Sequence, residues 1–196
     1  MGKVVEFYFD VGSPASYLAW TQLPKICADA GAELVYRPML LGGVFQATGN
    51  ASPASIPVKG RYTGIDNLRF ARRYGVPLKM NPYFPIITLY LMRAVTGVQM
   101  RDPGLLQTFL AMAFKAIWID ARNLNEPEQT AAAITSAGFD PAYIDRLTND
   151  PAVKTALRAT TEDAVTRGVF GAPTCFVGDE MFFGQDRLDF IREAIS

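Results

Sequence analysis

Phe7-Tyr8-Phe9-Asp10-Val11-Gly12-Ser13-Pro14-Ala15-Ser16-Tyr17-Leu18 decides the fold of this 196-residue chain. Its first part completes an alternating run, Val4 to Phe9, rich in β-branched and aromatic side chains, and that pattern predicts a strand. Asp10-Val11-Gly12 then turns the chain. Ser13 is a natural N-cap and Pro14 a natural first helical residue, so a helix is expected from Pro14 to Ala30. Tyr17, Leu18, Leu23, Ile26 and Cys27 share mainly one face of that helix, and Gly31 stops it. Residues 33–38, Glu-Leu-Val-Tyr-Arg-Pro, read as a second strand. The opening is a β-α-β unit.

Beyond it the chain changes character. Arg61–Tyr74 predicts a charged amphipathic helix ended by Gly75-Val76-Pro77, and Ile86–Thr96 and Leu105–Ile119 predict apolar ones. An acidic residue stands directly before proline at Asp102-Pro103, Glu126-Pro127, Asp140-Pro141 and Asp150-Pro151, each marking a helix start. In the three Asp-Pro pairs, the aspartate is expected to cap and the proline to occupy the first helical position. After Gly168 the β pattern returns: Thr174–Val177, a Gly178-Asp179 turn, Glu180–Phe183, then a helix over Asp186–Ile195. The order is β-α-β, helical block, β-β-α. Residues 1–40 and 168–196 are therefore expected to build one α/β domain, with 41–167 as an all-helical insertion.

Composition narrows the chemistry. Apolar residues make up 49% and charged residues 19%, enough for a dense core without metals or disulfides. Nineteen basic residues balance nineteen acidic ones, so nothing in the charge favours nucleic acid or an anionic membrane as partner. The most apolar helix is interrupted by Gln107 and Lys115 and is too short to span a bilayer, and the N-terminal strand does not read as a secretory signal. Cys27 and Cys175 stand far apart, form no Cys-x-x-Cys motif, and fit a reducing, cytoplasmic setting. There is no histidine, which excludes Ser-His-Asp hydrolysis, Cys-His chemistry and His-bearing zinc sites; no metal site is expected. Any catalysis must use hydroxyls, carboxylates, amines, backbone dipoles or a borrowed group.

Two short pieces carry that possibility. Ser13 sits between a strand and a helix N-terminus, where free N–H groups and the helix dipole favour an anion. Gly171-Ala172-Pro173-Thr174 leads into the third strand, with Pro173 a candidate for a cis peptide. Each alone has an ordinary explanation, as a helix cap and as an edge-strand proline. Together, on this element order, they resemble the thioredoxin-like fold in its insertion-bearing, DsbA-like form.

More narrowly, the chain resembles the family of 2-hydroxychromene-2-carboxylate isomerases and kappa-class glutathione transferases. The likeness rests on Phe7 to Leu18, Gly49-Asn50, Ile56 to Tyr62, Arg72 to Pro77, Phe170 to Thr174 and Phe183 to Arg187, in order along nearly the whole chain. The compact length is more like that of the bacterial isomerases. Where dithiol oxidoreductases hold Cys-x-x-Cys, this chain reads Ser13-Pro14-Ala15-Ser16, and two hydroxyls cannot make a disulfide. The resemblance implies glutathione as cofactor, a small aromatic carboxylate as substrate, and a homodimer. It implies Ser13 as hydrogen-bond donor to the glutathione sulfur. Asn50 and Lys59 would hold the tripeptide, with Lys59 on its glycyl carboxylate. The Ala172 backbone before Pro173 would take the cysteinyl part, and Asp186, beside Gln185, the γ-glutamyl ammonium. Serine is usual in kappa transferases where Gln185 stands, so this position departs from their pattern.

Each of these residues also has a structural reading: Asp186 as a cap, Lys59 as a solvated charge, Asn50 as a turn residue. Cys27 and Cys175 read as small buried hydrophobes. Phe84, Phe109, Phe114 and Trp118 read as packing of the helical block, with some available to an aromatic pocket. Arg37 reads either as a strand-end surface charge or as a guide for a carboxylate. The expected activity is isomerisation of 2-hydroxychromene-2-carboxylate to trans-o-hydroxybenzylidenepyruvate. The alternatives are a glutathione transferase, which uses the same thiol, and a redox-inert thioredoxin-like binding module.

Overall fold

A computed structural model describes residues 2–196. Its elements run β1 (Val4–Phe9), α1 (Pro14–Asp29), β2 (Glu33–Pro38), α2 (Leu41–Thr48), α3 (Pro57–Tyr74), α4 (Leu89–Arg101), α5 (Leu106–Trp118), α6 (Pro127–Ser136), α7 (Pro141–Asn149), α8 (Pro151–Thr166), β3 (Thr174–Val177), β4 (Glu180–Phe183) and α9 (Leu188–Ile195). The four strands form one sheet in the order β2-β1-β3-β4. β1 pairs parallel with β2 and antiparallel with β3, which pairs antiparallel with β4. The chain therefore has the thioredoxin-like α/β fold with its helical block between β2 and β3.

The alternation of β1 explains how that sheet is covered. Val5, Phe7 and Phe9 point into the main core with α1, α4, α5 and α9, while Tyr8 points to the other side with Met39, Val44, Ala164, Val169 and Phe176. Phe109, Phe114 and Trp118, from the helical block, are fully buried in the same core as Phe9 and Tyr17. The Phe114 ring lies 5.7 Å from that of Tyr17, and Trp118 Nε1 donates to the Val11 carbonyl at 2.8 Å. Thus the helical block braces the turn ahead of Ser13.

Beneath Tyr8, the Arg167 guanidinium stacks 3.7 Å from the Phe176 ring centroid and donates to Glu6 Oε2 at 2.7 Å and to Tyr8 Oη at 2.9 Å. Tyr8 Oη in turn donates to Asp163 Oδ2, and burial together with that acceptor pushes its pKa up to about 12.

Several boundaries differ from the sequence reading. Helix α3 begins at Pro57, not Arg61: Pro57 takes the first helical position, and Gly60 lets the first turn approach Ala54, whose Cα would lie 3.1 Å from an added Cβ. Helix α4 begins at Leu89, not Ile86, after the Phe84–Pro85 segment, whose peptide bond is cis. Helix α2 has no counterpart in the sequence reading, because it carries Gly42 and Gly43 in its first turn. Asp140 and Asp150 do cap, accepting from Ala142 N–H at 3.0 Å and Ala152 N–H at 2.8 Å. Asp102 does not: its carboxylate accepts from the Tyr143 hydroxyl, and a 3-10 turn, Pro103–Leu105, precedes α5. Glu126 makes no side-chain cap. At the C-terminal end, Gln185–Arg187 form a 3-10 turn and α9 starts at Leu188, not Asp186.

Candidate active site

The Ser13 turn is set from below by Asp10. This carboxylate is 1% exposed and accepts three hydrogen bonds, Gly12 N–H on Oδ1 and Leu41 N–H and Thr88 Oγ1–H on Oδ2, each at 2.9 Å. It thereby ties the turn to the starts of α2 and α4. Burial nevertheless outweighs the three donors and holds its pKa above the usual carboxylate value.

Ser13 caps α1 as expected: Oγ accepts from Ser16 N–H at 3.1 Å, and the Ser13 carbonyl accepts from Tyr17 N–H. Pro14 has no N–H, so Ala15 N–H is the first-turn donor left without an acceptor among the described residues. Ser13 Oγ also donates to the Ala172 carbonyl at 3.0 Å. The two pieces singled out in the sequence therefore meet directly, and the Ala172–Pro173 peptide is cis.

Around Ser13 opens a cleft of about 760 Å³. Of the residues expected at the site, Ser13, Asn50, Lys59, Ala172, Gln185 and Asp186 all line it, while Pro173 is buried and does not. Lys59 is exposed and makes no ion pair among the described residues. Asn50 Nδ2 donates to the Phe170 carbonyl at 2.8 Å and Oδ1 accepts from Ala51 N–H at 2.8 Å. It is therefore a wall-building residue, with one N–H and one lone pair still open to a ligand. Gln185 is 9% exposed, and its carbonyl accepts from Tyr74 Oη at 2.6 Å. Asp186 stands at the rim, paired with Arg187 at 2.5 Å.

Other lining groups were not singled out from the sequence. Asn67 is 2% exposed and its Nδ2 has no partner among the described residues, so an amide at the cleft wall stands uncompensated. Thr63 and Gly64 lie one helical turn along α3 from Lys59 and Gly60, and Asn67 two turns, so the spacing is readable, but the charged helix reads as a solvated one. Phe45, Tyr62, Met80, Phe84, Phe170 and Phe183 supply the apolar wall. Of the four aromatics assigned to the helical block, Phe84 alone lines this cleft.

The remaining residues fall away from it. Arg37 lies on β2, its Nη2 2.5 Å from Glu6, and does not line the cleft. Both cysteines are buried and free; burial pushes the Cys27 thiol up to about 11 and the Cys175 thiol higher still. No described helix is long and apolar enough to cross a membrane.

A thioredoxin-like sheet, a hydroxyl-bearing turn where a dithiol would stand, and the Ala172-Pro173 segment against it define the class. The DSBA-like thioredoxin domain matches residues 4–196, and the chain belongs to that family. Within it, the chain sides with the 2-hydroxychromene-2-carboxylate isomerases and kappa-class glutathione transferases. The isomerase of Sphingobium xenophagum is 34% identical over 97% of both chains, and that of Pseudomonas putida 30% identical over 98% of this chain and 94% of the relative. Glutathione S-transferase kappa 1 of Rattus norvegicus is 30% identical over 96% of this chain and 89% of its own. A solved 2-hydroxychromene-2-carboxylate isomerase superposes with a TM-score of 0.84 at 30% identity, covering 97% of this chain and 93% of that one.

Proposed function

We propose that this protein is a glutathione-dependent isomerase of 2-hydroxychromene-2-carboxylate, acting at the Ser13 cleft. The observation that carries the reading is the Ser13 hydroxyl, placed at a helix N-terminus and against the Ala172 carbonyl, on the wall of a cleft of about 760 Å³. The isomerases among the relatives support the reaction, and the kappa-class transferases support glutathione.

The donor set fits a zwitterionic tripeptide. Lys59 is a cation without an ion pair among the described residues, suited to the glycyl carboxylate, and Asp186 is a carboxylate lining the same cleft, suited to the γ-glutamyl ammonium. Ala172 N–H and Ala15 N–H have no acceptor among the described residues, which leaves backbone donors for the cysteinyl portion. Asn50 and Gln185 would flank it, and Pro173 would fix the direction of the Ala172 backbone. Bound glutathione would supply the thiolate nucleophile that a chain without histidine lacks.

The chain's own part is to lower the thiol pKa and to hold the substrate. With glutathione bound, Ser13 O–H would be the group to exchange its neutral hydrogen bond to the Ala172 carbonyl for a charge-assisted one to a thiolate. Oγ keeps the Ser16 N–H throughout, so the cap survives the exchange. The N-terminal end of α1 adds its dipole on the same side. Phe84, Phe170 and Phe183 offer ring faces to an aromatic substrate.

The test is an ultraviolet assay of the chromene substrate with and without glutathione, on wild type and Ser13→Ala. Turnover that needs glutathione, leaves it undiminished and falls in Ser13→Ala supports the reading. Turnover unaffected by glutathione defeats it. The kappa relatives favour a second reading, conjugation of glutathione to an electrophile. Stoichiometric glutathione loss would select it.

A further inference from the structure

Helix α2 separates two clefts. Leu41 and Phe45 line the Ser13 cleft, while Leu40, Gly43 and Ala47 line a second one of about 600 Å³, closed by α4 and α8. Its floor is apolar, from Leu40, Leu89, Leu157 and Val165. Three cations stand over that floor: Arg93 from α4, and Lys154 and Arg158 from α8.

None of the three makes an ion pair among the described residues, and the one polar contact of the Lys154 ammonium is a 3.5 Å approach to Asn149 Oδ1. Elsewhere Arg37, Arg69, Arg101, Arg167, Arg187 and Arg192 each meet a carboxylate, whereas these three cations gather about one apolar cleft. Glu162 is the lone carboxylate lining the cleft and pairs with none of the three. Lys154 and Arg158 stand one helical turn apart, where like charges repel. Arg93 lines the same cleft from α4 and adds a third positive charge to it. An anion between the helices removes that repulsion and gains charge-assisted hydrogen bonds from two guanidinium forks.

We propose that this α2/α4/α8 cleft binds an organic anion with an apolar body, its acidic group held by Arg93, Lys154 and Arg158 and its body laid on the leucine floor. The site is distinct from the Ser13 cleft and does not depend on the function proposed for it. The cationic rim requires the charge and the leucine floor requires the apolar body; inorganic anions alone lack the second.

The probe is 8-anilinonaphthalene-1-sulfonate, followed by fluorescence, with the arginine variants separating this cleft from the Ser13 cleft. Saturable binding is expected, weakening as salt screens the cations. Binding should be at least about tenfold weaker in Arg93→Gln/Arg158→Gln, two charge-assisted contacts having been removed. Glu162→Gln should bind more tightly. Displacement by 1-naphthoate and by decanoate distinguishes an aromatic from an acyl body, and neutral 1-naphthalenemethanol should compete far less well than 1-naphthoate. Circular dichroism of each variant checks the fold, and Arg158→Glu, at an exposed position, gives an independent loss of binding. Equal affinity in wild type and both arginine variants would overturn the proposal, as would no saturable binding to wild type.

Discussion

Replacing Asp10 with asparagine isolates the contribution of the carboxylate under the Ser13 turn. In wild type, Oδ1 serves Gly12 N–H, and Oδ2 serves both Leu41 N–H and Thr88 Oγ1. Asparagine is nearly the same size but has one accepting oxygen. Set where Oδ2 stands, that oxygen keeps two of the three bonds and turns an NH2 towards Gly12 N–H; the opposite orientation loses two. The better orientation still leaves a buried donor without its acceptor, a cost of about 1–3 kcal/mol. With a urea m value of about 1–3 kcal/mol per molar, the midpoint should fall by roughly 1 M.

The pH dependence has a definite sign. Burial raises the Asp10 pKa above 3.8, so above that pH the unfolded chain loses a proton that the folded chain retains. The contribution of Asp10 to wild-type stability therefore declines from about pH 4 upward through its folded pKa, and Asp10→Asn has no such proton. The gap between the two proteins should be widest in acid and narrow as pH rises. Urea titrations at several pH values from 4 to 8 measure it. A gap below about 0.5 kcal/mol would show that the three bonds matter little against the ordinary cost of an unmet donor. A gap that widens with pH would show the donors, not burial, to dominate the carboxylate.

Four other outcomes follow from the same structure. Ser13→Ala should lower kcat/KM by roughly 10–100-fold, the loss of a charge-assisted hydrogen bond, and lower stability by about 1 kcal/mol as a lost cap; full activity in steady-state kinetics would contradict it. Gly97→Ala would put a Cβ 2.8 Å from Leu147 Cβ between α4 and α7, so thermal unfolding should report a loss of about 1–3 kcal/mol with glutathione binding retained. Arg167→Ala strips the stack on Phe176 and the half-buried pair with Glu6, and should cost about 1–3 kcal/mol in urea unfolding without changing KM for glutathione. Cys27 and Cys175, buried with their thiols pushed up, should resist a thiol reagent in the native protein and both react in denaturant; rapid native labelling would contradict their burial.

Much of the fold and part of the site are legible in the sequence. The strands and α1 follow from period-two and helical patterns with caps at the expected places, and the two pieces that stand out in sequence, around Ser13 and Ala172, touch in the fold. What could not be read depends on partners distant in sequence. Asp102 has the sequence context of a cap, but Tyr143, brought alongside by α7, takes its carboxylate. Arg37 had two readings at strand level, and the choice was made by Glu6 on the neighbouring strand. Asn67 looks like any polar residue on a charged helix until the packing of α3 against α1 buries its amide at the cleft wall. Helix α2 carries two glycines in its first turn, against local propensity. Its start is held instead by Asp10 on Leu41 N–H and by Thr161 Oγ1 on Leu40 N–H.

The hydrogen bond between Ser13 and Ala172 joins residues 159 positions apart, and β1 likewise finds its neighbour β3 only near the end of the chain. During synthesis, at about 5–20 residues per second, the first half of the site waits roughly 8–30 seconds for the second. Through that interval β1 has β2 on one side and an open edge on the other, with Phe7 and Phe9 still lacking the part of the core that β3, β4 and α9 supply. A ribosome stalled within α8 would thus present a sticky, inactive β-α-β unit, and chaperone capture should peak just before residue 174 emerges.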